Sequence, residues 1–223
     1  MVFSLSPKIE AARKRIVKGN LRKSNELIFQ QLISDTKALA KSIKIDLIWV
    51  DENNQAGESF GEKFTNALQA TFDLGYENII SIGNDSPDLA THHIETAISK
   101  LQAGQAVIGP SIDGGIYLVG LHKSQFQPQT FSKLGWEKDY LQQSLQLYLL
   151  QHDRIYFSLE ALSDIDNASA LLAFTDFKPF SILTQLYLNI IFQLQSITKP
   201  FSNTITKIFF YSTHNLRGPP SMA

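Results

Sequence analysis

The sequence predicts a three-layer α/β/α protein built on a mainly parallel sheet. Three observations carry that prediction. Short runs of strand formers alternate with stretches of helical period, the connections between them are short, and no internal repeat interrupts the alternation. Such a pattern lays helices over both faces of a sheet that is parallel at its centre.

Val2 to Ser6 is a short apolar segment able to open the sheet. It runs into a basic stretch holding Lys8, Arg13, Lys14, Arg15, Lys18, Arg22 and Lys23 against Glu10 alone, which reads as a solvated face or as a phosphate contact. Asn25 to Ile43 carries Ile28, Leu32, Leu39 and Ile43 at helical spacing, with Glu26 early and Lys37 and Lys41 late, as the helix dipole favours. Ile45 to Val50 is a strand, closed by the polar run Asp51 to Gly57. Ser59 and Glu62 form a capping box ahead of Phe64, Ala67, Leu68, Thr71 and Phe72, and Gly75 stops that helix. Asn78 to Ile82 reads as a buried strand, Thr91 to Leu101 as a helix and Ala106 to Gly109 as a strand. Ile116 to Leu121, Tyr140 to Leu150 and Ile155 to Leu159 continue as strand, helix and strand, before a short helical run at Ala168 to Phe174.

After Phe174 the character changes. Pro179 to Thr198 holds no charged residue, and Leu183, Leu186, Tyr187, Ile190, Ile191 and Leu194 define a broad helical face. Thr184, Gln185, Asn189, Gln193 and Ser196 interrupt it, which argues against a transmembrane span of about 20 mostly apolar residues. The expected organisation is a transferase-like domain over residues 1–174 and a C-terminal extension over 175–223. The 179–197 helix of that extension is expected to dock on the domain, on a second copy as a homodimer, or on another partner.

Composition narrows the function classes. The formal net charge of -1 removes any global electrostatic case for nucleic acid as a partner. The absence of cysteine excludes disulfides, thiolate metal ligands and Cys nucleophiles. At the front, the apolar run precedes its basic residues, the reverse of a secretory signal, so a cytoplasmic location is expected. No G-x-S-x-G elbow and no Walker A sequence occurs. His92 and His93 lack metal-ligand spacing and read as an exposed first helical turn, and Trp136 reads as a packing residue.

Ligands of open α/β sheets bind beyond the carboxyl ends of the strands, so the candidate residues are sought there. Gly83-Asn84-Asp85-Ser86-Pro87-Asp88 follows the Asn78 to Ile82 strand: the small Gly permits close approach, and Asp85 is placed to hold Mg²⁺ or Mn²⁺ against a diphosphate. Equally, Asp85 can stabilise a turn while Asp88 caps the next helix. Asp113-Gly114-Gly115 lies between two strands, where the paired glycines let a backbone approach a ligand. Asp113 there is the candidate catalytic carboxylate, orienting a sugar hydroxyl or a metal-bound water; an ordinary hairpin turn has the same signature. Asp164-Ile165-Asp166-Asn167 follows the last strand, and Asp164 or Asp166 can add a metal ligand while Asp166 or Asn167 can cap a helix.

Taken in order, four segments resemble a known family: Gly57 to Glu62 ahead of a helix, Gly83 to Leu89, Gly109 to Leu121, and Asp164 to Asp166. They are similar to the radical-SAM/selenodomain-associated transferase 1 family of the GT-A, nucleotide-diphospho-sugar transferase superfamily. The resemblance covers about Val2 to Phe174 and implies the GT-A fold, with Asp85 as the metal-binding aspartate. It also implies Asp166 as a second ligand, Arg13 and Arg15 as phosphate contacts, and Gly83, Asn84, Gly114 and Gly115 beside the nucleotide. The chain departs from the family at its front. There the pattern F-A-K-x-P-x-P-G-x-x-K-T-R-L is replaced by Phe3 to Ile16 with Leu5 for the first Lys and Glu10 for the Gly. The expected function is a metal-dependent transferase acting from a nucleotide-activated donor, a glycosyltransferase using a nucleotide sugar. The alternatives are nucleotidyl transfer from an NTP to a small phosphorylated acceptor, and a catalytically reduced binding or scaffold protein.

Overall fold

Strand-forming runs bounded by polar punctuation supply six strands: β1 (Val2–Phe3), β2 (Trp49–Val50), β3 (Asn78–Ile82), β4 (Ala106–Pro110), β5 (Ile116–His122) and β6 (Tyr156–Ser158). The structure is a computed structural model, and it describes residues 1–14, 16–17, 22–151 and 155–198. The strands form one sheet in the order β2-β1-β3-β5-β4-β6. β1 is parallel to β2 and β3, and β4 to β6, whereas β5 is antiparallel to both its neighbours. Five strands therefore run one way, with β5 alone reversed. The reversal is forced locally, because Ser111 to Gly115 is too short for a crossover of about a dozen residues and closes a hairpin instead.

Eight α-helices occur among the described residues: α1 (Pro7–Arg13), α2 (Arg22–Ser42), α3 (Phe60–Asp73), α4 (Thr91–Gln102), the short α5 (Pro128–Phe131), α6 (Leu141–Leu150), α7 (Ala168–Phe177) and α8 (Ile182–Thr198). The capping box is present as read: Ser59 Oγ accepts from Glu62 N at 3.2 Å, and Glu62 Oε2 accepts from Ser59 N at 3.3 Å. A cap of this kind is worth about 1 kcal/mol. One segment gains an element and one reading needs correction. The basic stretch near the front contains a helix, α1, started by Pro7 at its first turn. Only the end of Ile45 to Val50 pairs, since β1 offers two residues of edge, and Ile45 and Leu47 remain exposed.

Side chains alternate across the sheet as the pleat requires. Val107 points into a cluster with Val2, Ile82, Ile94, Leu101 and Leu118, whereas its neighbour Ile108 joins Phe3, Phe64, Phe72, Phe131 and Leu145 on the other face. Trp136 is a packing residue of that second cluster, and its indole N–H donates to the Phe131 carbonyl at 2.8 Å.

The chain divides into compact units at Met1–Gln185 and Leu186–Ala223. Within the first, Leu183 and Thr184 at the start of α8 are buried. The described part of the second is the rest of α8. There Ile190 is buried while Leu188 and Phe192 are exposed, and the side chain of Leu194 lies outside the described residues. No helix among the described residues is long and apolar enough to cross a membrane.

Candidate functional site

Because β1, β2, β3, β4 and β6 share a direction, their carboxyl ends share an edge, and the β4–β5 hairpin opens on the same edge. The loops there line one cleft of about 1050 Å³. Beyond β1 come Ser4 and Leu5, and Glu52 and Gln55 follow β2. Gly83, Asn84 and Asp85 follow β3, Asp113 and Gly115 sit on the hairpin, and Asp164 and Asp166 lie beyond β6. Asp85, Asp113 and Asp166, far apart in sequence, thus face one space.

Backbone geometry explains the convergence. Ile165 N donates to the Asp85 carbonyl at 2.8 Å, and the Ser86 hydroxyl donates to Asp164 Oδ1, so the β3 and β6 loops are stitched together. On the hairpin, Asp113 Oδ1 accepts from Gly115 N at 3.0 Å, so this carboxylate closes the turn while it lines the cleft. Asn167 is the residue that caps α7, its Oδ1 accepting from Ala170 N at 3.0 Å, which leaves Asp166 to the cleft. Asp88 is not a cap: α4 is capped at Ala90, and Asp88 pairs with Lys178 at 3.0 Å.

Gly114 is packed against a neighbouring segment of backbone. Its φ is +92°, and a Cβ there would stand 1.8 Å from the Asp139 carbonyl oxygen, so its bareness admits a neighbouring backbone. Gly83 and Gly115 do line the cleft. Arg13 lines it too, with its guanidinium held by Glu137 at 2.7 Å on the exposed rim. Arg15 lies outside the described residues.

The residue missed in the sequence is Lys14. Its ammonium stands 2.6 Å from Asp85 Oδ2 and also contacts Asp166 Oδ1, between the two carboxylates expected to bind metal. A signal for it existed, since Lys14 falls where the front pattern that the chain was compared with carries Thr. Burial alone would depress the Lys14 ammonium, but the charges of Asp85 and Asp166 outweigh it and raise its pKa. Asp164 is pushed up to about 7, chiefly by burial, with the Asp85 charge adding to the shift and the hydrogen bonds of Ser111 and Ser86 opposing it. Glu10 is raised by burial as well. Asn84 is buried in the cleft wall, and its amide nitrogen has no hydrogen-bond partner.

Oxygen donors suit Mg²⁺ or Mn²⁺ by type, but a magnesium ion takes its ligands at about 2.0–2.1 Å in near-octahedral array. An ammonium already in contact with both carboxylates fills that position, so the set as arranged does not fit a divalent ion.

His93 corrects the exposed-turn reading. It is buried, and its Nδ1 accepts from Ala90 N at 3.0 Å, which puts the ring proton of the neutral form on Nε2. Nε2 then donates to Glu160 Oε1 at 2.7 Å. Although His92, His93 and Glu160 are close enough to suggest a metal site, the Nε2 lone pair is committed to that proton. His92 is exposed, as read.

A family model described as "Uncharacterized protein conserved in bacteria (DUF2064)" matches residues 34–138, a span that includes Asp85 and Asp113 but neither Lys14 nor Asp166. No curated protein sequence matches the chain. Among solved structures, the chain is similar to a protein of Desulfovibrio desulfuricans G20 provisionally named a nucleotide-diphospho-sugar transferase. The TM-score is 0.75 at 20% identity, over 87% of this chain and 96% of that one. The likeness establishes the fold, a GT-A-like α/β/α sandwich. CMP:2-keto-3-deoxy-manno-octonic acid synthetase complexed with CTP aligns more loosely. Its TM-score is 0.42 at 11% identity, over 80% of this chain and 98% of that one.

Proposed function

We propose that the chain is a transferase acting from a nucleotide-activated donor, with a nucleotide sugar as the donor. The observation that carries this reading is the gathering of Asp85, Asp113, Asp164 and Asp166 in one cleft at the carboxyl edge of a GT-A-like sheet. Asp113 orients the acceptor hydroxyl from the exposed hairpin. Asp164, with a pKa of about 7, is poised to take or return a proton near neutral pH. The open Asn84 donor meets a donor oxygen, Gly83 and Gly115 allow close backbone approach, and Arg13 turns from Glu137 toward phosphate.

Nucleotidyl transfer from an NTP would use the same cleft, and the product separates the two reactions: pyrophosphate for nucleotidyl transfer, a nucleoside phosphate for glycosyl transfer. The test is calorimetry with a panel of nucleotide sugars and NTPs, in chelator and in Mn²⁺, followed by product analysis. Binding of a nucleotide sugar that is lost in Asn84→Leu supports the proposal. Failure of every nucleotide to bind under both conditions would sink it and leave a scaffold role.

A further inference from the structure

We infer that Lys14 is a built-in counter-ion that takes the place of a divalent metal between Asp85 and Asp166, so that this site works without a metal ion. The ammonium contacts both carboxylates, one from the β3 loop and one from the β6 loop. Its backbone is fixed where it must be to do so. Lys14 is the C-terminal cap of α1, with its N–H donating to the Glu10 carbonyl at 2.8 Å. A tethered cation is present at a high effective concentration that a free ion has to outcompete.

The surroundings favour a permanent cation here. Nine carboxylates and four basic side chains line the cleft, so its centre needs positive charge whether or not metal is supplied. An ammonium has three N–H donors. Asp85 Oδ2 accepts one and Asp166 Oδ1 is in ion-pair contact, which leaves donor capacity for a phosphate oxygen of the donor. This last step rests on the proposed donor reading, whereas the exclusion of metal does not.

The experiment is a Mn²⁺ titration of the full chain by calorimetry, without nucleotide, on the native protein, Asp85→Asn, Lys14→Met and the double variant. The native protein should show no saturable Mn²⁺ site that depends on Asp85. Lys14→Met, which keeps side-chain length and removes charge, should gain one, at least about tenfold tighter than any residual Mn²⁺ binding of the native protein, and Asp85→Asn should abolish that gain. Native Mn²⁺ binding that disappears in Asp85→Asn overturns the inference, and this comparison stands even if Lys14→Met fails to fold. A nucleotide sugar that binds the native protein in chelator and binds Lys14→Met at least about tenfold more weakly supports the phosphate contact. Complete absence of nucleotide binding would remove the donor reading and leave the Mn²⁺ result to decide the role of Lys14.

Discussion

The Lys14 ammonium and Asp85 Oδ2 lie 2.6 Å apart, joining the end of α1 to the loop after β3 across 71 residues of chain. Both side chains are about three-quarters covered, at 28% and 24% exposure. A pair held that far from water couples more strongly than a surface pair and less than a fully buried one. A double-mutant cycle of Lys14→Met and Asp85→Asn, followed by urea denaturation, should give a coupling of about 1–2 kcal/mol. Additive single effects would mean that the two groups are independent in solution.

The hairpin tip offers a contrast between adjacent glycines. Gly114→Ala meets the Asp139 backbone at a positive φ and should cost about 2–4 kcal/mol in chemical denaturation. Gly115→Ala meets first the Asp113 carboxylate at 3.2 Å, the end of a side chain able to shift, and should cost about 1 kcal/mol or less. Equal costs would show that Gly114 is not packed as described.

Asp113→Asn separates structure from chemistry. An asparagine Oδ1 can still accept from Gly115 N, so the turn and the melting temperature should be retained. Transferase turnover should fall by about 100-fold or more, as for removal of a positioned acid or base. Unchanged turnover would remove Asp113 from the reaction.

Glu10 gives a pH test. Burial raises its folded carboxyl above the unfolded value, so the folded state binds more protons than the unfolded state between those two pKa values. Stability from this group is full below the unfolded value and is lost as pH rises through the folded one. Glu10→Gln should therefore be more stable than the native protein near neutral pH. That advantage should shrink as pH is lowered toward about 4, as read by denaturation at a series of pH values. A constant difference across the series would contradict the burial of an ionised Glu10.

Legibility followed distance along the chain. β3 has the bounds read for it, Asn78–Ile82, and the Ser59 cap is present, because both are written within a few residues. The three carboxylate loops were legible for the same reason, each sitting at the end of a recognisable strand. His93 was misread because the exposed first turn of a helix and a buried cap bound to a distant glutamate have the same local sequence. Glu160 is 67 residues away.

By itself the sequence determined the alternation of strand and helix, the capping and punctuation, and the edge of the sheet on which Asp85, Asp113 and Asp166 would lie. These follow from side-chain period and backbone preference, which act over one or two turns of chain. The tertiary structure alone decided which groups meet at that edge. It gave Asp166 to the cleft and Asn167 to the cap, filled the space beside Gly114 with the Asp139 backbone, and set Lys14 between Asp85 and Asp166. Each of these depends on segments far apart in the chain being brought together by the sheet order, and no spacing rule within one segment encodes the charge that another will present to it.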